Sequence, residues 1–251
     1  MDNNIKASTY GSLSSEVFFD RKVSISFDSV EFDPTADFKV LVQIEPPTIL
    51  DVLNPIIDNQ NNFDLILAWH PNILSSCSNS ELFPFGSCWI DESDRQVHEK
   101  SKLVSIISSH KKQTVGHNLR HQVINEKLIP MDVFGRGYQS IDNKVTGLKN
   151  YMFSLIIEND TTDNWFTEKL IDCLVNGTVP VYWGCRNIDN YFNMGGFIRF
   201  DTIEEFNTIT PTLNKETYTK MLPFINENFN LSLKYVDFWS RIESTIKNKL
   251  L

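Results

Sequence analysis

The chain has 251 residues, of which 41% are apolar and 12% aromatic, so it is long enough for one large domain or two small ones with packed cores. A formal net charge of −9 argues against a protein whose main partner is nucleic acid or an anionic membrane surface, because both associations depend on clustered cations. No stretch approaches the ~18 to 20 apolar residues of a membrane span, and the amino terminus lacks the apolar segment of a signal peptide, so we expect a soluble, cytoplasmic protein without a transmembrane segment.

The first half of the chain alternates between strand and helix patterns. FKVLVQIE (Phe38–Glu45) and FDLILAWH (Phe63–His70) are apolar runs typical of buried strands, and Ile49–Ile57 between them predicts a short helix. Ser75–Cys88 is rich in small and turn-forming residues and predicts a loop. This order predicts a βαβ arrangement, with only two or three clear strands before Lys100.

The second half repeats this alternation after the charged run Asp91–Lys102, which we interpret as the hinge between two halves. LVSIIS (Leu103–Ser108) predicts an apolar strand, apolar residues at helical spacing predict a helix over His117–Leu128, and the following MDVFG predicts another strand. The tail Glu216–Leu251 has helical composition. Strands that alternate with helices indicate a parallel sheet.

The densest group of functional signals lies in Tyr151–Phe200. An apolar strand ends there in the polar pair Glu158 and Asn159, a helix begins at Thr167, and a second strand covers Val179–Trp183. In a parallel α/β sheet, ligands bind beyond the carboxyl ends of the strands, where strand ends and helix starts leave unpaired backbone groups. The polar residues at these junctions therefore predict a ligand site.

The motifs of this region also carry a family resemblance. FSLIIEN and FTEKLIDCLVNGTVPVYWG resemble the donor-binding signature of the α1,3-fucosyltransferases, glycosyltransferase family 10. The shorter segments IEPP, LFPFG, KSKLVSIISS and MDVFGRG are similar to other parts of the family and occur in the same order. The resemblance covers roughly residues 39–201, and the length and mixed composition of the signature make it specific.

The resemblance implies an α/β protein of the GT-B type, with two Rossmann-like halves facing a cleft. Residues 1–100 would form a Rossmann-like domain on the acceptor side, which is shortened relative to the family. Residues 101–251 would form the domain that binds the nucleotide sugar, together with the C-terminal helices.

Three side chains match the family residues that hold the donor nucleotide. The resemblance implies that the Glu168 carboxylate accepts hydrogen bonds from the ribose hydroxyls. The alternative is that the helix dipole alone favours a glutamate in the first turn of a helix. Lys169 and Arg120 would neutralise the diphosphate, Lys169 as a compact ammonium and Arg120 through its planar guanidinium. A solvent-exposed lysine is the alternative interpretation of Lys169.

Four further residues of the signature complete the predicted donor site. Trp165 stands where the family usually has a tyrosine, so an aromatic ring is kept and the phenolic hydroxyl is lost. Thr167 opens the helix, and Asn159 suits sugar hydroxyls or a guanine edge because it carries a donor and an acceptor. Glu158 either contacts the ligand or caps the loop.

Glu45 is the predicted general base. It ends the FKVLVQI strand before two prolines, which turn the chain out of the sheet, and it matches the glutamate of a Glu-Ser-Pro segment in the family. A base of this kind contributes ~10² to 10⁴ in rate when its pKa lies near the operating pH. His70 and His110, which each follow a strand, are the rival candidates.

The resemblance implies an inverting, metal-independent transferase that moves fucose from GDP-fucose to a hydroxyl of an oligosaccharide acceptor. The partners would be the nucleotide sugar and the acceptor, with no cofactor and no nucleic acid; the sequence does not define the oligomeric state. The sequence contains no Asp-x-Asp triplet of the kind that holds manganese in other transferases. Two alternatives are a transferase with another nucleoside diphosphate sugar, and a catalytically silent protein that binds a nucleotide sugar.

Overall fold

The computed structural model describes residues 12–251 and divides into two compact α/β units. The first unit contains the chain up to Phe85, the short segment Thr162–Trp165 and the C-terminal segment Asp237–Leu251. The second unit contains Gly86–Thr161 and Phe166–Val236. The polypeptide therefore enters the first unit three times, and the last helix of the chain belongs to that unit.

The first unit contains a five-stranded sheet in the order β1-β2-β3-β4-β5. Its strands are β1 (Leu13–Phe18), β2 (Arg21–Phe27), β3 (Phe38–Val42), β4 (Leu65–Ala68) and β5 (Ser80–Leu82). β1 and β2 pair in the antiparallel direction, and all other neighbours are parallel. The predicted strands in FKVLVQIE and FDLILAWH are β3 and β4, at the centre of this sheet.

The sequence predicted two or three strands in this part of the chain, and the structure has five. Neither β1 nor β2 has a continuous apolar run. β1 is partly exposed, with Ser and Glu between its apolar residues, and β2 is mostly buried but has a serine after each of its first two apolar residues. They are joined by Phe19 and Asp20, which both have positive φ angles of 50° and 61°. Two residues in the left-handed conformation form the tight turn of a β-hairpin. Such turns are usually recognised in a sequence by Asn-Gly, which is absent here.

Helices cover both faces of the first sheet. They are α1 (Leu53–Asp58) and α2 (Pro71–Ser76) on one face and α7 (Phe238–Leu250) on the other. Val40 and Val42 of β3 pack with the core that contains α7, whereas Leu41 between them packs with α1 and α2. Successive residues of a strand point to opposite faces, so an unbroken apolar run is what a sheet covered on both sides requires.

The second unit contains an entirely parallel sheet in the order β10-β9-β8-β6-β7. Its strands are β6 (Lys102–Ile107), β7 (Asp132–Phe134), β8 (Tyr151–Ile157), β9 (Val179–Trp183) and β10 (Ile198–Arg199). All residues of β8 and β9 are buried, as expected for the central strands of such a sheet.

The helices of the second unit cover the two faces of its sheet. They are α3 (Val115–Glu126), α4 (Glu168–Leu174), α5 (Ile203–Ile209) and α6 (Lys215–Ser232). Residues of α3, α5 and α6 share one core with Phe153, Leu155 and Ile157 of β8, and α4 shares the other core with Ile156. Among the helices of residues 12–251, none has the length and apolar composition that crossing a membrane requires.

The predicted α/β architecture of two Rossmann-like halves is confirmed by these two units, whose strands are parallel apart from the β1–β2 pair. Each unit brings the carboxyl ends of its parallel strands to one edge of its sheet. Glu158 and Asn159 directly follow β8 at that edge of the second unit, and Glu45 lies three residues after the end of β3 in the first unit. These three candidate residues therefore follow strand ends.

Candidate functional site

Two helices of the second unit begin beside the carboxyl end of β8. Thr114 caps α3 by accepting a hydrogen bond from the His117 N–H at 3.1 Å, and Thr167 caps α4 by accepting one from the Lys169 N–H at 3.3 Å. Such caps satisfy backbone N–H groups that have no partner within the helix. The candidate donor-binding residues of the second unit lie on these helix starts and on the residues that follow β8.

Glu158 connects the end of β8 to the start of α4. Its side chain has an exposed fraction of 0%, and both carboxylate oxygens are engaged. Oε1 accepts from the Thr167 N–H at 2.8 Å, and Oε2 accepts from the Thr167 hydroxyl at 2.8 Å. Of the two alternatives that the sequence left open for Glu158, these contacts favour a side chain that fixes the loop rather than one that reaches a ligand.

We expect Glu158→Gln to lower the free energy of unfolding by about 2 kcal/mol. A carboxamide has one acceptor oxygen, so its NH₂ group would face one of the two donors of Thr167, and an unsatisfied buried polar group costs about 1 to 3 kcal/mol. Chemical denaturation measures the change. Glu126→Gln, at the exposed end of α3, is the matched control and should change stability by less than about 0.5 kcal/mol. Equal stabilities of the two variants would contradict this role of Glu158.

Arg120 reaches the end of β8 from α3. Its Nε donates to the Ile157 carbonyl at 2.8 Å, and its Nη2 donates to the same carbonyl and to Asn159 Oδ1 at 2.9 Å. Burial lowers the pKa of Arg120, while the carboxylates of Glu158 and Glu168 act in the opposite direction. The hydrogen bonds of Arg120 within residues 12–251 involve Nε and Nη2, so the two N–H groups of Nη1 are not used by them.

Lys169 and Glu168 occupy the first turn of α4, next to Glu158. The Lys169 ammonium lies 3.0 Å from Thr167 Oγ1, 3.4 Å from Glu168 Oε1 and 3.5 Å from Glu158 Oε2. Its side chain is 26% exposed, so it is accessible to a ligand from solvent. Arg120, Glu158, Asn159, Thr167, Glu168 and Lys169 are thus linked to one another through hydrogen bonds, ion pairs or electrostatic interactions within the second unit.

Lys144 is a member of this cluster that the sequence did not single out. Its ammonium lies 3.3 Å from Glu168 Oε1 and 3.0 Å from Asp172 Oδ2. Burial raises the pKa of Glu168, but the nearby ammonium groups of Lys169 and Lys144 outweigh burial and hold this pKa at about 2. Glu168 is therefore a carboxylate at any physiological pH, as acceptance of two hydroxyl donors requires.

Trp165 is packed in the core of the first unit. Trp165 belongs to the first unit, where its side chain is 1% exposed and its ring lies 5.8 Å from that of Trp69 between centroids. Both indole N–H groups donate to the Ile44 carbonyl, at 3.0 Å from Trp165 and 3.1 Å from Trp69. These contacts give the buried ring a packing role beside Glu45. The ligand contact of Trp165 stays a prediction.

The peptide group between Ile44 and Glu45, where the chain leaves the first sheet, is held by hydrogen bonds at both its N–H and its carbonyl. Asp28 accepts hydrogen bonds from the Ile44 N–H at 2.7 Å and from the Glu45 N–H at 3.2 Å. The indoles of Trp69 and Trp165 donate to the Ile44 carbonyl of the same peptide group. Burial raises the pKa of Asp28 to about 7, the two backbone donors oppose this, and the charge of Glu45 reinforces it. The half-buried Glu45 therefore has a rigid backbone and a carboxyl neighbour.

We expect Asp28→Asn to be more stable than the wild type at a pH of about 8.5 and equally stable near pH 4. Folding raises the pKa of Asp28 from 3.8 to about 7. The side chain therefore contributes its full stabilisation below pH 3.8, and this contribution is lost as the pH rises through about 7. Asparagine keeps an acceptor for the two N–H groups and carries no charge. Because one pKa unit corresponds to about 1.4 kcal/mol, the difference should exceed about 1 kcal/mol at the higher pH.

Denaturation curves at the two pH values, with the exposed Asp51→Asn as control, measure this difference. A stability difference between Asp28→Asn and the wild type that does not change with pH would show that the ionised carboxylate is tolerated.

The two rival histidines have different environments. His70 caps α2, because its Nδ1 accepts from the Asn72 N–H at 3.2 Å, and His110 is exposed. These contacts give His70 a structural role that requires no ligand. Residues 12–251 contain no group of three or more His, Cys, Asp or Glu side chains arranged to hold a metal ion.

Comparisons with known proteins show which proteins the chain resembles. An α1,3-fucosyltransferase FucT of Helicobacter pylori is 34% identical over 70 residues, which is 28% of this chain and 14% of that protein. A putative fucosyltransferase-like protein of Arabidopsis thaliana is 32% identical over 99 residues, which is 38% of this chain and 19% of that protein. The chain thus aligns with less than a fifth of the length of either relative.

A solved structure, described as an α1,3-fucosyltransferase with GDP-fucose, is similar in fold. It superposes with a TM-score of 0.53 at 17% sequence identity, covering 84% of this chain and 76% of that chain. The profile of glycosyltransferase family 10 (fucosyltransferase), C-terminal part, matches residues 97–245, which is more than half of the 251 residues. The resemblance identified from the motifs is therefore confirmed, and the chain belongs to glycosyltransferase family 10.

Proposed function

We propose that this chain transfers fucose from GDP-fucose to a hydroxyl group of an oligosaccharide, with inversion at the anomeric carbon. Membership of the family supports transfer of fucose, and a structure with a similar fold is described with GDP-fucose. The observation that carries the proposal is the grouping of Arg120, Glu168 and Lys169 in the second unit, at the end of β8. Two cations and a carboxylate suit the diphosphate and the ribose of a sugar nucleotide.

Each donor-site residue has a proposed task. Glu168 accepts hydrogen bonds from the ribose hydroxyls, and Lys169 with Nη1 of Arg120 binds the phosphate oxygens. Asn159 offers its Nδ2 donors to the ligand, since its Oδ1 already accepts from Arg120. Glu158 and Thr167 hold the start of α4 in place and are positioning residues.

The proposed reaction is a single displacement. Glu45 takes the proton of the acceptor hydroxyl, whose oxygen forms a bond to the anomeric carbon of fucose. The bond from that carbon to the diphosphate oxygen breaks, and its electron pair leaves with GDP. Lys169 and Arg120 stabilise the negative charge that develops on the diphosphate, which is a large term in many transferases. No divalent metal ion is required in this scheme.

Glu45 is proposed as the base from its position at a strand exit and from its match to the family segment. Hydrogen bonds with Asp28 and the two indoles hold the peptide group between Ile44 and Glu45, so the backbone that carries the Glu45 side chain is fixed in position. Glu45→Gln should abolish transfer while GDP still binds. A variant that transfers fucose at the wild-type rate would exclude Glu45 as the base.

A thermal-shift panel of GDP, UDP, CDP and ADP tests the donor assignment first. Saturation at ~100 times the dissociation constant stabilises the protein by ~2.7 kcal/mol, so GDP should give the largest shift. Incubation with GDP-fucose and a set of oligosaccharides then tests transfer. A preference for UDP would favour another sugar donor, and binding of GDP without turnover of any acceptor would favour a catalytically silent binding protein.

A further inference from the structure

Lys144 has an environment that the proposed reaction does not use. It begins a short 3₁₀ turn, Lys144–Gly147, and its side chain is only 20% exposed. The ammonium lies 3.3 Å from Glu168 Oε1, 3.0 Å from Asp172 Oδ2 and 3.9 Å from the centre of the Trp89 ring. All these partners belong to the second unit.

The ammonium of Lys144 is fully occupied by these three partners. It has three N–H donors, two of which can serve the carboxylates of Glu168 and Asp172, while the ring of Trp89 accepts the cation on its face. The Trp89 backbone is itself held by Asp172, whose Oδ1 accepts from the Trp89 N–H at 2.6 Å. Lys144 therefore has no donor left for a phosphate, in contrast to the more exposed Lys169.

We propose that Lys144 is a positioning residue, which holds the Glu168 carboxylate in the orientation that receives the ribose hydroxyls of the donor nucleotide. This inference rests on the proposed function, because it takes the ribose contact of Glu168 from it. A carboxylate in the first turn of a helix can adopt several rotamers. The ion pair with Lys144 selects one of them, and Asp172 with Trp89 fixes Lys144 in turn.

Asp172 helps to hold Lys144 in place, and Lys144 in turn contacts Glu168. Burial raises the pKa of Asp172, and the ammonium of Lys144 opposes that effect. Asp172 lies one helical turn after Glu168 in α4, so both carboxylates face Lys144. Lys144 thus pairs with the buried Asp172 and the partly exposed Glu168, of which only Glu168 is proposed to meet the ligand.

The test compares GDP with 2′,3′-dideoxy-GDP, which lacks both ribose hydroxyls, by calorimetric titration. In the wild type, the loss of two hydrogen bonds to a carboxylate should weaken binding by at least about tenfold. In Lys144→Met, we expect GDP to bind about tenfold more weakly, and the ratio between the two nucleotides to fall below about threefold. Glu168→Gln should give the same reduced ratio, and Lys144→Arg should restore most of it.

Each other outcome has a definite meaning. If Lys144→Met weakens both nucleotides equally and keeps the wild-type ratio, Lys144 acts on the phosphates or on the fold, and the inference is wrong. If the wild type binds GDP but does not distinguish the two nucleotides, Glu168 does not contact the ribose and the inference fails with that contact. If the wild type does not bind GDP at all, the proposed function itself fails.

A second variant separates positioning from stability. Lys144→Met leaves Asp172 buried without its cation, which can destabilise the protein. Lys144→Met/Asp172→Asn removes both charges and keeps an acceptor for the Trp89 N–H, so it should fold and should show the same reduced ratio. A double variant with the full wild-type ratio would overturn the proposal. Lys220→Met, which removes an exposed lysine of α6, is the control and should bind both nucleotides as the wild type does.

Discussion

Replacing Gly116 by alanine should lower the free energy of unfolding by about 3 kcal/mol or more. A Cβ atom at this position would lie 1.8 Å from the Glu158 carbonyl oxygen and 3.0 Å from Asn159 Cα. These are backbone atoms at the end of β8, so no side-chain rotation can relieve the overlap. Either α3 or the strand end must move.

The consequence extends to the candidate site, because α3 carries Arg120. A shift of α3 away from β8 would break the contacts of Arg120 with the Ile157 carbonyl and with Asn159. Gly116→Ala should therefore also weaken GDP binding. Val115→Ala is the matched control, since the preceding side chain is 67% exposed and should tolerate the change. Equal melting temperatures for the two variants would contradict the close approach of α3 to β8.

Lys169→Met should weaken GDP binding by about 30-fold, because a hydrogen bond to a charged group contributes about 1.5 to 3 kcal/mol. The change removes the exposed ammonium of the site and keeps the length of the side chain. Binding of guanosine, which has no phosphate, should change by less than about threefold, since Glu168 keeps its ion pair with Lys144. Isothermal titration with the two ligands separates the effects.

Lys220→Met is the control for this experiment also, because Lys220 is 72% exposed and pairs with Glu216 on the surface of α6. Exposed pairs of this kind contribute little. A loss of affinity for guanosine as large as the loss for GDP would assign Lys169 to the nucleoside or to the fold, and it would remove the proposed contact with the diphosphate.

The sequence predicted the second unit well because its signals are local. β8 and β9 are buried on both faces, so their apolar runs stand out. Thr167, which was predicted to open the next helix, is the N-cap of α4. The residues Glu168 and Lys169 follow that threonine directly, so their proximity to each other was fixed by the chain itself. The family signature lies on these same elements.

The contacts that decide the roles of individual side chains were not readable from the sequence. The hydrogen bonds of Glu158 to Thr167 join residues nine positions apart, and Lys144 meets Glu168 from 24 positions away. Lys144 lies in a short turn without a recognisable pattern. Asp28 lies outside the segment that resembles the family, at the end of β2, a strand that the sequence did not predict.

Trp165 shows a different limit of the sequence. Its position in the signature predicts an aromatic ring at the donor, which stays a prediction. The motif gave no sign that the four residues Thr162–Trp165 belong to the first unit and that this ring packs in the core there. An indole N–H reaches the Ile44 carbonyl there. The packing role of Gly116 was also not predicted from the sequence. A glycine in the first turn of a helix can indicate that another backbone segment approaches the helix closely, and this signal could have been used.

The structure of the chain with GDP bound tests the central claim most directly. We predict phosphate oxygens within hydrogen-bond distance of Lys169 Nζ and Arg120 Nη1, and ribose hydroxyls on the Glu168 carboxylate, which keeps its contact with Lys144. A nucleotide bound elsewhere in the protein, or bound at the end of β8 without touching these three side chains, would contradict the account.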